Sequence, residues 1–595
     1  MPFGRFPRPA HQILRVTLCA TLAGSCGRDD TPAPQPLEAV PLESHDALVR
    51  VSMTLRGTRP TEEELQAVAA DPAALEAFVD QWLDAEAFGT IVRDLHAETF
   101  RTRTDTIEQL PSRGPLTDLP TWDVYASTVE EPLKLVEHVV TSDLPYTEVL
   151  TLDYTLYDSV IAKVYGLPYD ADGPEWQQGH WVDGRPHAGV LSSSELWRRY
   201  RSAGANYHRQ RANFVAEAFL CEPFASREIV LPSDIDVSDE QVVLDAINHN
   251  PACVGCHQAM DPLAAFFWGF KGQIKGRAVR NAYEDECSFG LDSLDPLPDG
   301  DVYDDVCYPL RFYKPYRESA WADKHLRPPA FYGQPGERLD DLGELIAADP
   351  RFATCTARRF WGYFAHQPVE AVDEQLGHDL ASIFRASGFD AKALVKAIVL
   401  HDRFLTDHFA GRGTDPFEPV GAMLVRPEQY QSALLDLTGF QWWAVPSEPN
   451  CFPECFGRVD LQNSDRYGFR AMAGGIDGMQ VVTPSYQAIP SGPLVYRRVA
   501  AEAAAWAVDH EFLLPASERR LLREIELADT SEASVRAQLA ALHLRITSEA
   551  VAADSPTVDQ TYTLWSGALA LSDDPARAWT LTLTALLQDA RMVFY

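Results

Sequence analysis

Asp349-Pro350-Arg351-Phe352-Ala353-Thr354-Cys355-Thr356-Ala357-Arg358-Arg359-Phe360-Trp361-Gly362-Tyr363-Phe364 carries the fold class of this chain. An aspartate at a helix N-cap accepts hydrogen bonds from backbone N–H groups that have no partner in the first turn. A proline at the first helical position has a preset φ and lacks the N–H that would go unpaired there. Phe352, Cys355, Phe360 and Phe364 then recur at helical spacing, so the stretch predicts a helix with one apolar side. The same start stands at Asp71-Pro72, ahead of Leu75, Phe78, Val79, Trp82 and Leu83, and at Asp574-Pro575, ahead of Trp579, Leu583 and Leu586. Thr61 followed by Glu64 spells a capping box. Further helical periodicity runs through 131–140, 212–220, 391–399, 494–508 and 535–546, while strand-like alternation is scarce. A mainly α, multi-domain helical protein is expected, and 595 residues suit several domains.

Near the middle stands Asn250-Pro251-Ala252-Cys253-Val254-Gly255-Cys256-His257, whose core is C-x-x-C-H. Two thiols at this spacing can add across the two vinyl groups of one porphyrin, and the histidine that follows is then held under the iron as its proximal ligand. The motif predicts Cys253 and Cys256 as thioether residues, His257 as the iron ligand, and one covalent haem c per chain. The sixth ligand is open. Met260 is too near in sequence to reach the far face of the ring. Met472 and Met479 flank Gly474-Gly475 and are expected to pack in a core. His187, His208 and His249 are the histidine candidates. Phe266-Phe267-Trp268 lines a pocket or packs in a core. A second C-x-x-C-H, a Gly-rich phosphate loop, H-E-x-x-H and G-x-S-x-G are all absent from the sequence.

The N-terminus reads as an export signal. Arg5, Arg8 and Arg15 precede an apolar run from Val16 to Ala23, too short to span a bilayer but suited to a signal peptide over residues 1–25. Ala23-Gly24-Ser25 before Cys26 is similar to a bacterial lipobox, which predicts Cys26 as a lipidation site. Residues 26–44, with prolines at 32, 34, 36 and 41, then form a tether. Membrane attachment is expected through this N-terminal lipid only, in the cell envelope, as a periplasmic or outer-membrane or cell-surface lipoprotein. A formal net charge of −35 argues against nucleic acid as a partner. Setting aside Cys19, Cys26 and the motif pair leaves Cys221, Cys287, Cys307, Cys355, Cys451 and Cys455. An even remainder in an exported protein suggests disulfides, with Cys287–Cys307 and Cys451–Cys455 the expected local pairs.

Several stretches carry a resemblance. Arg185-Pro186-His187-Ala188-Gly189-Val190-Leu191-Ser192, Arg211-Ala212-Asn213-Phe214-Val215, and the motif followed by Met260-Asp261-Pro262-Leu263 resemble a secreted cytochrome c-like domain of planctomycete-type and myxobacterial proteins of unknown function. Residues 54–61 and 152–155 resemble the domains that precede it there, and Cys355-Thr356-Ala357-Arg358-Arg359-Phe360-Trp361 the domain that follows. Arg426-Pro427-Glu428-Gln429 and Gly474-Gly475-Ile476-Asp477-Gly478 are similar to the C-terminal region of myxobacterial members. The chain departs from the family at Ala264-Ala265-Phe266-Phe267-Trp268, where a glycine-phenylalanine stretch is usual. The expected organisation is an N-terminal helical domain over 45–184, a small cytochrome c-like haem module over 185–280, an irregular Asp-, Pro- and Tyr-rich insertion over 281–340, a helical domain over 341–410 and a C-terminal helical domain over 411–595.

Three functional readings follow. The first is a monohaem c-type cytochrome-like protein that transfers electrons to a redox partner the sequence does not identify. The second is a haem-dependent oxidoreductase with an open distal site. The third is a secreted helical binding or structural protein whose C-x-x-C-H binds zinc or forms a disulfide. The residues leave open whether the protein is an enzyme.

Overall fold

A computed structural model describes residues 38–595 apart from 105–106, 108–109, 111, 113, 203–205, 227–234, 237, 275–302, 305–307, 411–419, 445–458 and 463–466. The signal at 1–25, Cys26, most of the tether and the expected pairs Cys287–Cys307 and Cys451–Cys455 lie outside the described residues.

The molecule is mainly α, and the strands among the described residues form only two-stranded pairs. Several helix starts follow the chemistry of their caps. Asp349 accepts the Arg351 N–H at 2.9 Å and opens the helix Pro350–Phe364. Asp574 does the same for Pro575–Leu587, with the Ala576 N–H at 2.9 Å. Thr61 and Glu64 form the reciprocal box at 3.2 and 2.8 Å. At Asp71-Pro72 the carboxylate accepts the Ala73 N–H at 3.0 Å, but the α-helix itself begins later, at Ala74–Leu83.

Two apolar cores organise the chain. The first runs from Ala47 to Met423; the second is built from 424–593 together with Val49 and Met53. The helix Ser44–Arg56 feeds both. At about 100° per residue, Leu48, Val51 and Leu55 lie on one side of it, and Val49 and Met53 lie roughly 150° around the helix. One short helix is thereby a wall of two cores. Its Arg50, buried between them, donates to the carbonyls of Phe404 and Gly421, each at 2.7 Å. The chain end closes the same seam, where Met423 and Tyr595 exchange backbone hydrogen bonds at 2.8 and 3.0 Å.

The first core is closed tightly around one turn. Gly189, at φ +51°, and Gly343, inside the helix Leu339–Ala348, both lie against the backbone of Val149 and Leu150. A Cβ on Gly189 would come within 2.1 Å of the Val149 oxygen, and one on Gly343 within 2.1 Å of the Leu150 oxygen. Three segments far apart in sequence therefore meet where only glycine fits.

A disulfide joins Cys221 to Cys355 across 134 residues of sequence. It ties the C-terminal end of the helix Arg209–Leu220 to the helix Pro350–Phe364. Arg359 reinforces the joint by donating to the carbonyls of Ala218, at 2.9 Å, and Glu217, which have no acceptor role left within their own helix.

Candidate functional site

Cys253, Cys256 and His257 lie in the helix Pro251–Ala265, which starts by the same device as the others. Asn250 is the N-cap, its side-chain oxygen accepts the Ala252 N–H at 3.0 Å, and Pro251 is the first helical residue. Helical geometry sets positions 253, 256 and 257 on one face, since they are three and four residues apart. That face is half-buried, whereas Ala252, Gly255 and Gln258 on the other side are exposed. Both thiols are free. From Asp261 onward the helix is fully buried.

The imidazole of His257 is fixed by its own helix. Its Nδ1 lies 3.0 Å from Oδ1 of Asp261, one turn on, and the ring forms no other hydrogen bond among the described residues. Asp261 is in turn held by Arg209, whose Nε donates to Oδ1 at 2.8 Å and whose Nη2 donates to Oδ2 at 3.3 Å. Exposure falls from 19% for the His257 side chain and 17% for Arg209 to 4% for Asp261. Burial alone would raise the Asp261 carboxyl. The hydrogen bonds from His257 and Arg209, with the Arg209 charge, outweigh it and hold the group below the usual carboxylate range.

Arg209 is positioned by what lies behind it. Arg211, two residues on, is wholly buried and donates to the carbonyls of Tyr200 at 2.9 Å and Lys271 at 2.6 Å, with Nη1 3.0 Å from Nδ1 of His208. Burial, then the Arg317 charge, brings the Arg211 guanidinium down to about 9. This clamp pins the start of the helix Arg209–Leu220 to the segment that follows the motif helix, and the disulfide pins its other end.

The remaining candidates take various places. His208 is buried and engaged with Arg211, edge-on to Trp268 at 5.2 Å. His249 is exposed and paired with Asp245 at 3.0 Å. His187 stands 4.9 Å from His180 with its Nδ1 buried and unpartnered among the described residues; burial, then the His180 and Arg185 charges, brings it down to about 4. Met260 is half-buried against the first core. Met472 and Met479, expected in a core, are 36% and 56% exposed. Met472 ends the short helix Phe469–Met472, and Met479 lies within a turn in which one Asp477 oxygen accepts three backbone N–H groups, from Met479, Gln480 and Val481. Phe266 and Phe267 are core residues, Phe267 lying 4.6 Å from Trp197, and Trp268 packs with Tyr207.

The sequence reading noted Asp261 and missed its role, along with that of Arg209. A carboxylate four residues after a ligating histidine on a helix is a legible signal. The arginine has none, because it arrives from a different helix.

Residues 42–167 match the family model described as a protein of unknown function (DUF1592), and residues 332–404 match that of a protein of unknown function (DUF1585). The motif helix lies between the two matched segments in sequence and is bound to the second through the helix Arg209–Leu220 and its disulfide. No curated protein and no solved structure matches the chain.

The side chains present fit a covalently attached haem. Two reduced thiols share a partly open helix face with an imidazole whose Nδ1 is occupied and whose Nε2 is available. A bare metal ion fits less well: among the described residues no group of three or more His, Cys, Asp or Glu converges on one point. Haem needs no such convergence, since the protein supplies a single iron ligand on this side.

Proposed function

We propose that the chain is an exported monohaem c-type cytochrome-like protein that transfers electrons, with Cys253 and Cys256 as the attachment residues and His257 as the proximal ligand. The observation that carries the reading is the pairing of free thiols with a histidine oriented through Nδ1 on one half-buried helix face. Each thiol S–H adds across one vinyl C=C: a C–S bond forms, the hydrogen goes to the other vinyl carbon, and no net oxidation occurs. The addition requires both sulfurs reduced. Bound there, the iron would supply one-electron redox chemistry. His257 would hold the iron through Nε2, and the buried Asp261–Arg209 pair would keep the ring from turning. The disulfide Cys221–Cys355 supports an oxidising compartment. The N-terminal signal and Cys26 supply the route to it, with a lipid anchor at the cell envelope.

Expression of the full chain with a c-type cytochrome maturation system tests this. The denatured protein should retain haem, with absorption bands of a thioether-linked porphyrin, and Cys253→Ala with Cys256→Ala should abolish retention. A colourless, folded wild-type protein, or stain that survives the double substitution, sinks the reading.

A further inference from the structure

Resting on the haem reading, we propose that Asp261, clamped by Arg209, is a positioning residue that makes His257 a stronger electron donor to the iron and lowers the site's reduction potential. The geometry is specific. Nδ1 of His257 faces an anionic oxygen at 3.0 Å, and the carboxylate is nearly inaccessible to water, so the hydrogen bond acts in a low dielectric. A ligating histidine that donates its second N–H to a carboxylate gains basicity and a fixed tautomer. Electron density pushed through Nε2 favours the more oxidised iron.

Arg209 gives the device a second control. It neutralises the same oxygen that His257 contacts, at 2.8 Å, and so weakens the pull of the carboxylate on the Nδ1 proton. The helix bearing Arg209 is anchored independently of the motif helix, through Arg211 at its start and Cys221–Cys355 at its end. The potential is therefore set by two helices docked against each other, not by the motif alone.

The two substitutions have opposite signs. Asp261→Asn keeps the shape and an acceptor but removes the charge, and should raise the potential. Arg209→Gln leaves the aspartate less neutralised, and should lower it. Substituting residues that orient a metal ligand changes affinity roughly tenfold or more. The expected shift is therefore about tenfold in the reduction equilibrium, about 59 mV for a one-electron couple, in each direction. Asp261→Glu should restore at least half of the wild-type value. If the Asp–Arg pair only held two helices together, both variants would move the potential the same way or not at all, and either result overturns the inference.

A second measurement works without haem. In the full chain carrying Cys253→Ala and Cys256→Ala, labelled with 15N-histidine and held at alkaline pH where histidine is neutral, His257 should carry its proton on Nδ1. Asp261→Asn should reduce that preference. A majority of the Nε2–H form in the wild-type background refutes the positioning role. A colourless wild-type protein with the Nδ1–H form present instead refutes the haem reading and, with it, the claim about potential.

Discussion

Replacing Cys221 and Cys355 together by alanine should destabilise one core and spare the other. The bridge closes a loop of 134 residues, which carries the motif helix and the whole stretch between it and the helix Pro350–Phe364. Chain-entropy arithmetic for a loop of that length gives about 5 kcal/mol at 25 °C, as an upper figure because denatured chains are more compact than random coils. Cys221 caps, and Cys355 lies within, a helix whose apolar side chains build the first core, and the second core is built largely after residue 424. The loss should therefore fall on the first core alone. Urea unfolding followed by hydrogen exchange reads the two separately. Peptides from 209–220 and 350–364 should lose protection at a midpoint about 1–2 M lower than in the wild type, given slopes near 3 kcal/mol/M. Peptides from 575–587 should not move. Wild-type protein treated with a thiol reductant should behave like the double variant. A midpoint shift in the first core worth less than about 1 kcal/mol, or an equal shift in both cores, would refute the reasoning that this loop constrains only the first core.

Other substitutions read different parts of the fold. Gly343→Ala in a helix interior would ordinarily gain about 1 kcal/mol, but here the new methyl group meets the Leu150 oxygen at 2.1 Å. The variant should therefore be less stable than wild type, and a raised Tm would contradict the close approach. Arg211→Met removes the donor to several buried carbonyls and should cost about 3–5 kcal/mol by denaturant titration. An unchanged midpoint would mean that these oxygens find other partners. Glu131 accepts the N–H groups of Ser194 and Glu195, and burial pushes its carboxyl up to about 7. A raised folded pKa means that its stabilising contribution is complete below the ordinary glutamate range and is lost as pH rises through about 7. Relative to wild type, Glu131→Gln should thus gain stability between pH 5 and pH 8, by up to about 3 kcal/mol. A pH-independent difference between the two proteins would count against a protonated Glu131.

The helical class and the placement of the motif residues on one helix face were legible because both are local. A cap, a proline at the first helical position and an apolar side recurring every three or four residues act within one or two turns, so Asp349-Pro350 and Thr61 with Glu64 could be read without knowing what they pack against. Cys253, Cys256 and His257 are likewise specified by spacing, since one helix turn sets them on one face. Asn250-Pro251 opens the helix Pro251–Ala265 by the same device, but its buried residues are the consecutive run Asp261 to Ala265 rather than a side recurring at helical spacing, so periodicity does not mark it.

What tertiary structure alone decided is every pairing across long separations. No periodicity marks Arg209 as the partner of Asp261, or Cys221 as that of Cys355, because each contact depends on how two separately formed helices dock. Burial decided that Phe266 and Phe267 serve the core, and a polar turn at Asp477 left Met479 exposed. The same physics divides the site itself. The residues that can bond to a porphyrin and its iron are written in five consecutive positions. Asp261 reaches His257 within one helix, but the Arg209 charge that balances it arrives only once two helices have been fastened together.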